Sequence, residues 1–517
     1  MPNEESYLDI SLRKIAKGAS FVLIGTLIGR ACGYGSRLII ARLGVGDYGL
    51  VSLGFAALSV VAILSLVGMQ SGVVRYVSFY KGREDKGRIK GTIISALRIT
   101  LPLSLILALI LFWQANWLSI HFFHDATLTP ILRVFSIGIP FLVLTSNFLS
   151  ATIGFQDMRY SVYTQYIFQE PLKLALIVIL LALGFGVLGA AWGWVITLIT
   201  TSFLAFYFLE KKVFPIFRTG VKAVSVDKEH LSFSLPLLFA SIAGLIMGWT
   251  DTLMLGYFSS SGDVGIYNAA LPTAQVISAI PGAFVAIFFP VVSELYARNK
   301  IDDLRRTYTA VTKWMLSLIF PALLLVLLFP QQVIGILFGA EYIAGATALW
   351  ILVLGFAVGA VLGPAGAILQ TYGRTKTIMM TTYIGAAVNF LLNFLLIPIY
   401  GINGAAIATA VSLALLYMLK FLFARRVAKV QPFKLSYFKI IVASLIAVSI
   451  VYAITKYLIG VSIPSLIGML FVFLALYFFL LLLFKSFEQE DLMIMRAIDQ
   501  RLGTKSNWIR KIIQKFL

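Results

Sequence analysis

Runs of about twenty mostly apolar residues recur along the whole chain, and no other feature restricts its fold so much. A helix needs roughly 20 such residues, at 1.5 Å each, to cross the hydrocarbon of a bilayer. Runs of that kind lie near residues 18–40, 48–70, 91–113, 129–151, 160–183, 187–209, 231–257, 264–292, 307–329, 343–369, 377–398, 402–424, 436–459 and 463–485. The expected fold class is therefore an all-α polytopic membrane protein with about 14 transmembrane helices. Composition agrees. Of 517 residues, 60% are hydrophobic and 12% charged, about half the charged fraction of a soluble domain. A mean hydropathy of +0.94 leaves more apolar surface than an aqueous fold can hide. The first run follows Arg13, Lys14 and Lys17 and is interrupted by Arg30 and Arg37. It is too long for a signal-peptide core and no small-residue cleavage site follows it, so it reads as a retained helix.

The basic residues predict orientation. They cluster in the N-terminal segment, after the second run (Lys81 to Lys90), after the sixth (Lys211 to Lys228), after the eighth (Arg298 to Arg306), after the tenth (Arg374, Lys376), after the twelfth (Arg425 to Lys439) and in the tail. The segments 114–128 and 330–342 hold no Lys or Arg. All the clusters fall on one side only for an even helix count, which predicts a multi-pass protein of the cell membrane with both termini cytoplasmic. The net charge of +20 is spread over short loops beneath a bilayer, so anionic membrane lipids are the expected partner and nucleic acid is not. In the tail, Ile509, Ile512, Ile513 and Phe516 share one helical face with Lys511 and Lys515 off it. That pattern fits a helix in the cytoplasmic interface, or a frayed basic tail. The lone Cys32 excludes an intramolecular disulfide, and His121 and His124 lack a third soft ligand nearby. No metal and no cofactor are expected.

Two patterns recur. Gly186-Val187-Leu188-Gly189-Ala190-Ala191 matches Gly401-Ile402-Asn403-Gly404-Ala405-Ala406, and each opens an even-numbered helix. Leu43-Gly44 with Gly46-Asp47-Tyr48-Gly49 matches Leu255-Gly256 with Gly262-Asp263-Val264-Gly265-Ile266-Tyr267. The pattern divides the chain into an N-terminal lobe at 1–210 (helices 1–6), a cytoplasmic linker at 211–230, a C-terminal lobe at 231–424 (helices 7–12), helices 13 and 14 at 436–485, and an amphipathic tail at 486–517. Six helices per repeat insert both lobes the same way up, with a pseudo-two-fold along the membrane normal, the plan of a rocking carrier.

Ionisable residues at membrane depth mark function because they are costly in lipid. Arg30 lies mid-helix, Arg37 two turns on, Arg75 at the end of helix two, Arg98 within helix three and Arg133 near the start of helix four. Helix five carries Glu170 and Lys173 around Pro171. The second half offers Asp251, Lys313, and Asn389 with Asn393. The excess is cationic, and arginine's planar fork suits phosphate. Arg30, Arg37, Arg75 and Arg98 are the candidate substrate-binding residues; the last three also fit snorkelling or helix-end roles. Glu170, Asp251, Lys313 and Asn389 are candidates for charge balance or for coupling to Na+ or H+.

Particular motifs bring a known family into view. They are Arg30-Ala31-Cys32-Gly33-Tyr34-Gly35-Ser36-Arg37 leading into Ile39-Ile40-Ala41-Arg42-Leu43-Gly44, then Asp47-Tyr48-Gly49, Gly154-Phe155-Gln156 and Gly186 to Ala191. The second half adds Asp251 to Gly256 and Gly265-Ile266-Tyr267-Asn268-Ala269-Ala270. In these the chain resembles the polysaccharide-biosynthesis (oligosaccharide) flippases of the multidrug/oligosaccharidyl-lipid/polysaccharide exporter superfamily, over roughly residues 10 to 485. The resemblance implies a V-shaped two-lobed carrier for a polyprenyl-linked oligosaccharide. It also implies arginines facing a central cavity and serving the pyrophosphate, with Arg30 the best match. The expected activity is transport of a lipid-linked oligosaccharide to the outer leaflet, with no bond made or broken and a monomer sufficient. The alternative is a cation-coupled multidrug exporter of the same superfamily, which would favour an acidic cavity. A glycosyltransferase or polymerase component would need larger outer loops, and a membrane scaffold would not need charges at mid-membrane.

Overall fold

The structure, a computed structural model, describes residues 25–218, 220–431, 434–455, 457 and 463–486. The basic residues Arg13, Lys14 and Lys17 and the amphipathic face of the tail lie outside the described residues. Among the described residues the fold is all-helical, with no strand. Among the described residues ten helices are long and apolar enough to cross a membrane, and two shorter apolar ones lie at Phe288–Ala297 and Phe471–Leu483. The chain divides into two compact units, residues 1–268 and 269–517.

In the first unit the helices are α1 (25–41), α2 (Val45–Leu66), α3 (Met69–Gly82), α4 (Lys86–Trp117) and α5 (Leu128–Gly154). They are followed by α6 (Arg159–Ala182), α7 (Gly186–Val213) and α8 (Asp227–Phe258), and by the start of α9 (Ser261–Gln275). The second apolar run is thus split into α2 and α3 at Val67 and Gly68, both left-handed. Helix α5 is the centre, packed against α2, α3, α4 and α7. Its polar groups are satisfied internally: Asn147 donates to Thr100 Oγ1 at 2.8 Å and to the Val143 carbonyl at 3.0 Å, as burial of an amide requires. Helix α8 runs against α2, α3 and α4.

Helices α6 and α7 form a hairpin whose turn carries positive φ at Gly184 and Gly186. Past the turn, a Cβ on Gly193 would sit 3.0 Å from Ile177, so the absent side chain lets the two helices touch.

The second unit repeats that device. Residues Thr375–Ala428 trace one continuous helical path, α15 in the order below, far too long for a single bilayer crossing. The path reverses at Gly401, where φ is 53° and ψ −128°, a conformation only glycine adopts without strain. Beyond the turn a Cβ on Gly404 would lie 2.3 Å from the Leu396 carbonyl, and Asn389 donates to Thr409 Oγ1 at 3.2 Å. Residues twenty apart in a straight helix would be about 30 Å apart, so this is a pair of antiparallel helices. The Gly-x-x-Gly-Ala-Ala pattern thus encodes one local geometry twice, with φ of 54° at Gly186 and 53° at Gly401.

The remaining helices of the second unit are α10 (Ala279–Ala297), α11 (Ile301–Leu328), α12 (Pro330–Leu337), α13 (Ala346–Leu362), α14 (Ala365–Thr371), then α15, α16 (Leu435–Ile454) and α17 (Ile463–Leu483). Two expected continuous runs are broken. A 3-10 turn at Val276–Ser278 separates α9 from α10, and Gly363, at φ 76°, separates α13 from α14. Helices α16 and α17 pack on α11 through Leu316, Ile440, Ala443, Val448 and Phe473. Tyr437 and Tyr477 donate to the Thr309 and Ser317 carbonyls of α11 at 3.0 and 2.9 Å.

Candidate functional site

The site grows from a stripe of glycines on α1. A Cβ on Gly25 would lie 2.4 Å from Val162, one on Gly29 2.7 Å from Tyr166, and one on Gly33 2.6 Å from Glu170 Oε2. Both sets are spaced by four, so one bare face of α1 lies on one face of α6. Helix α6 is π-helical over Tyr163–Gln169. Pro171 follows two residues later and cannot donate to the carbonyl four residues back, which accounts for the loosened helix. The consequence is that the Glu170 carboxylate rests in the space left by Gly33.

Lys173 donates to Glu170 Oε2 at 2.6 Å. Its ammonium lies 4.6 Å from the centre of the Trp194 ring, and the residue is buried. Arg37, half-buried on α1, is within electrostatic reach of Lys173. Arg37 lies beside Tyr48 on the wall of one cavity, within electrostatic reach of its hydroxyl, and Tyr48 donates to the Asn268 carbonyl at 3.0 Å. Arg37, Tyr48 and Asn268 line a small cavity with Ser52, Phe55, Trp194 and Trp249. Phe55 stacks on Trp194 at 4.2 Å between centroids, and Trp249 meets Phe55 edge-on at 5.4 Å. Two cations, one carboxylate and an aromatic wall thus converge at membrane depth. Such a place stabilises an anion and offers flat faces to whatever the anion carries.

Asp251, two residues beyond Trp249, is buried and accepts from the Tyr267 hydroxyl at 2.5 Å. The neighbouring Asn268 donates to Thr252 Oγ1 at 3.2 Å. Just beyond, α2 and α9 cross at contact distance. A Cβ on Gly49 would lie 1.7 Å from the Ser261 carbonyl, and one on Gly265 1.9 Å from the Val45 carbonyl. The second recurring pattern therefore supplies both halves of one backbone-to-backbone crossing.

The other candidates lie elsewhere. Arg30 is exposed on α1, two turns before Arg37. Arg75 is exposed on α3, its guanidinium 4.1 Å above Phe233. Arg98 makes an exposed ion pair with Asp227 at 3.1 Å. Nearby, His230 is fully buried between α3 and α8 and its Nε2 faces the Met69 carbonyl at 3.3 Å. In the second unit Lys313 is buried, and Asn389 joins Asn393 and Thr409 in one buried hydrogen-bonded group. The structure thus gathers Arg37 with Glu170 and places Arg75 and Arg98 at the start of α8. Among the described residues no cluster of three metal-ligating side chains occurs.

The sequence profile of the polysaccharide biosynthesis protein family matches residues 15–296, more than half of the chain. The chain belongs to that family. A second profile, MatE, matches residues 236–395. Stage V sporulation protein B of Bacillus subtilis is 23% identical over 512 residues, covering 92% of this chain and 96% of its own length. The probable low-salt glycan biosynthesis flippase Agl15 of Haloferax volcanii is 31% identical over 176 residues, 34% of this chain and 37% of its own. Among solved structures, the lipid II flippase MurJ in an inward closed conformation superposes with a TM-score of 0.71 at 16% identity, covering 91% of this chain and 99% of that one. At that identity the likeness concerns the fold. Agl15 and MurJ both bear the name flippase, and neither is named as an enzyme.

Several functional-looking residues of this family member escape a reading of sequence alone. Tyr48 and Asn268 lie inside the recurring glycine-rich motifs without a visible role, while Phe55, Trp194 and Trp249 lie on three different helices and no local pattern links them. Lys173 was visible only as a partner for Glu170. The Gly25, Gly29, Gly33 stripe was the one available signal that α1 packs closely on a neighbour.

Proposed function

We propose that the protein is a flippase that carries a polyprenyl-(pyro)phosphate-linked oligosaccharide from the cytoplasmic to the outer leaflet by alternating access. The observation that carries this reading is the cationic cluster of Arg37 and Lys173 at membrane depth, beside the aromatic wall of Phe55, Trp194 and Trp249, in a chain of the polysaccharide biosynthesis family. Lipid hydrocarbon would expel such charges unless an anion or water met them. A phosphate head entering the protein meets that requirement, while the polyprenyl tail stays in lipid. Arg30, exposed two turns along α1, would receive the head first; Arg75 and Arg98 would draw it from the cytoplasmic end.

In this reading about 14 helices form two six-helix lobes at 1–210 and 231–424 plus helices 13 and 14, both termini face the cytoplasm, and a monomer suffices. Glu170, Asp251, Lys313 and Asn389 would balance charge or couple the cycle to Na+ or H+. The test is flipping of a fluorescent polyprenyl-pyrophosphate oligosaccharide in proteoliposomes, wild type beside Arg30→Ala and Arg37→Ala. Transport by wild type that collapses in the variants supports substrate class and site together. No transport by folded wild type favours the multidrug-exporter reading, toward which the MatE match over 236–395 points.

A further inference from the structure

The ion pair beneath α1 has an asymmetry that a purely structural salt bridge does not need. The Lys173 side chain is 6% exposed and that of Glu170 20%, so a ligand approaching from the open side meets the carboxylate before the ammonium. Behind the ammonium lies the face of Trp194, which attracts a cation but accepts no conventional hydrogen bond. Lysine has three donors, and Glu170 takes one. The carboxylate owes its position to Gly33, where even a methyl group would come within 2.6 Å of Oε2. Arg37 adds a second positive charge to the same neighbourhood.

We propose that Lys173 is a phosphate-binding residue kept masked by Glu170, and that an anionic phosphate headgroup displaces the carboxylate to reach it. This rests on the flippase reading and names a residue that the reading does not require. The physical logic is exchange of counter-ions. A lysine buried at membrane depth must have an anion beside it, because leaving one member of a buried pair alone is far costlier than keeping the pair. In the empty protein Glu170 is that anion. A phosphate carries more charge and more acceptor oxygens than a carboxylate, and Arg37 adds a further positive charge to its surroundings, so it wins the exchange. Without ligand the mask cancels the charge of Lys173, and stray anions bind weakly.

The decisive property is the sign of two substitutions in one salt bridge. If the pair merely fastens α6, Glu170→Gln and Lys173→Gln both harm binding. If Glu170 is a mask, Glu170→Gln tightens binding about 10-fold, Lys173→Gln weakens it about 10-fold or more, and the double variant behaves like Lys173→Gln. Gly33→Ala, which crowds the carboxylate and alters neither charge, tightens binding by a few-fold. The measurement is titration of purified full-length protein in nanodiscs with farnesyl pyrophosphate and, separately, inorganic pyrophosphate. Thermal midpoints establish that each variant is folded. Binding of the farnesyl compound alone assigns the site to a lipid headgroup; equal binding of inorganic pyrophosphate assigns it to the phosphate group itself. The opposite signs are required in either case. Equal or weaker binding by folded Glu170→Gln, with wild type binding normally, overturns the mask and leaves the flippase reading intact. No binding of either probe by any folded form overturns both.

Discussion

The crossing of α2 and α9 makes a quantitative prediction. A Cβ on Gly49 would lie 1.7 Å from the Ser261 carbonyl oxygen and 2.9 Å from the Gly265 nitrogen; one on Gly265 would lie 1.9 Å from the Val45 oxygen and 3.1 Å from the Gly49 nitrogen. Carbon and oxygen sit no closer than about 3.3 Å, so a single alanine must part the helices by about 1.5 Å. The obstacles are backbone atoms, which no rotamer change removes. Overpacking of this kind costs ~1–3 kcal/mol, offset by the ~1 kcal/mol that alanine gains over glycine within a helix. Once the helices have parted for one methyl, the second finds its space already open. Gly49→Ala with Gly265→Ala should therefore be no less stable than either single variant, a strong departure from additivity. The assay is the apparent unfolding midpoint in detergent at a fixed heating rate, for both singles and the double. Additive losses, or singles as stable as wild type, would refute the contact geometry.

Other expectations follow from particular residues. Gly401→Ala forces a side chain into φ 53°, ψ −128°, at a cost of ~1–3 kcal/mol, and should lower the folded yield and midpoint more than Gly468→Ala, where an added Cβ meets nothing within 4 Å. Thr409→Val removes the acceptor for Asn389 and should cost ~1–3 kcal/mol, measured as loss of midpoint, while Asn389→Ala with Thr409→Val costs less than the two singles added. At the loop before α6, Arg159 donates to Asp157 at 2.7 and 2.9 Å and holds its carboxyl below the ordinary carboxylate value. A depressed value stabilises the fold above the unfolded pKa near 4, and that benefit fades as pH falls through the folded value. The midpoint advantage of wild type over Arg159→Gln should thus be constant from pH 7 to 5 and shrink once the pH falls below about 4, the unfolded value.

The helical runs were legible because hydropathy is a property of consecutive residues. The hairpins were legible because Gly186 and Gly401 carry a conformation that neighbours cannot supply. Breaks inside runs were legible only as prolines such as Pro364 that kink a helix, not as contacts. The interruption at Gly363 falls on the Gly363-Pro364 pair, which breaks a helix by itself, but the close approach of Thr312, whose Oγ1 lies 2.2 Å from where a Cβ would be, comes from half a hundred residues away in sequence. Charges at membrane depth were legible one by one, but their grouping was not. Arg98 meets Asp227 across 129 positions, and Arg75 stacks on Phe233; neither partner is implied by anything near the arginine. The cavity wall was least legible, since Phe55, Trp194 and Trp249 resemble the many other aromatics of a membrane protein until the fold places them together.

The crossing and the cavity are mechanically one structure. Tyr48 precedes Gly49, and Asn268 lies one helical turn beyond Gly265. The hydrogen bond from Tyr48 to the Asn268 carbonyl therefore spans the α2–α9 contact itself. Separating the two helices lengthens that bond beyond its useful range and removes the partner that orients the Tyr48 hydroxyl toward Arg37. The Tyr48 oxygen that faces Arg37 is then no longer held in place, and a bound phosphate becomes the better counterpart for the guanidinium. Opening the glycine crossing and strengthening the hold on an anion are thus favourably linked. By linkage, an anion held by Arg37 must favour opening by the same free energy. The relation is testable in one cycle: the Gly49→Ala variant should bind farnesyl pyrophosphate more tightly than wild type, and Tyr48→Phe should abolish most of that difference. A gain that survives Tyr48→Phe would show that the crossing and the cation act independently.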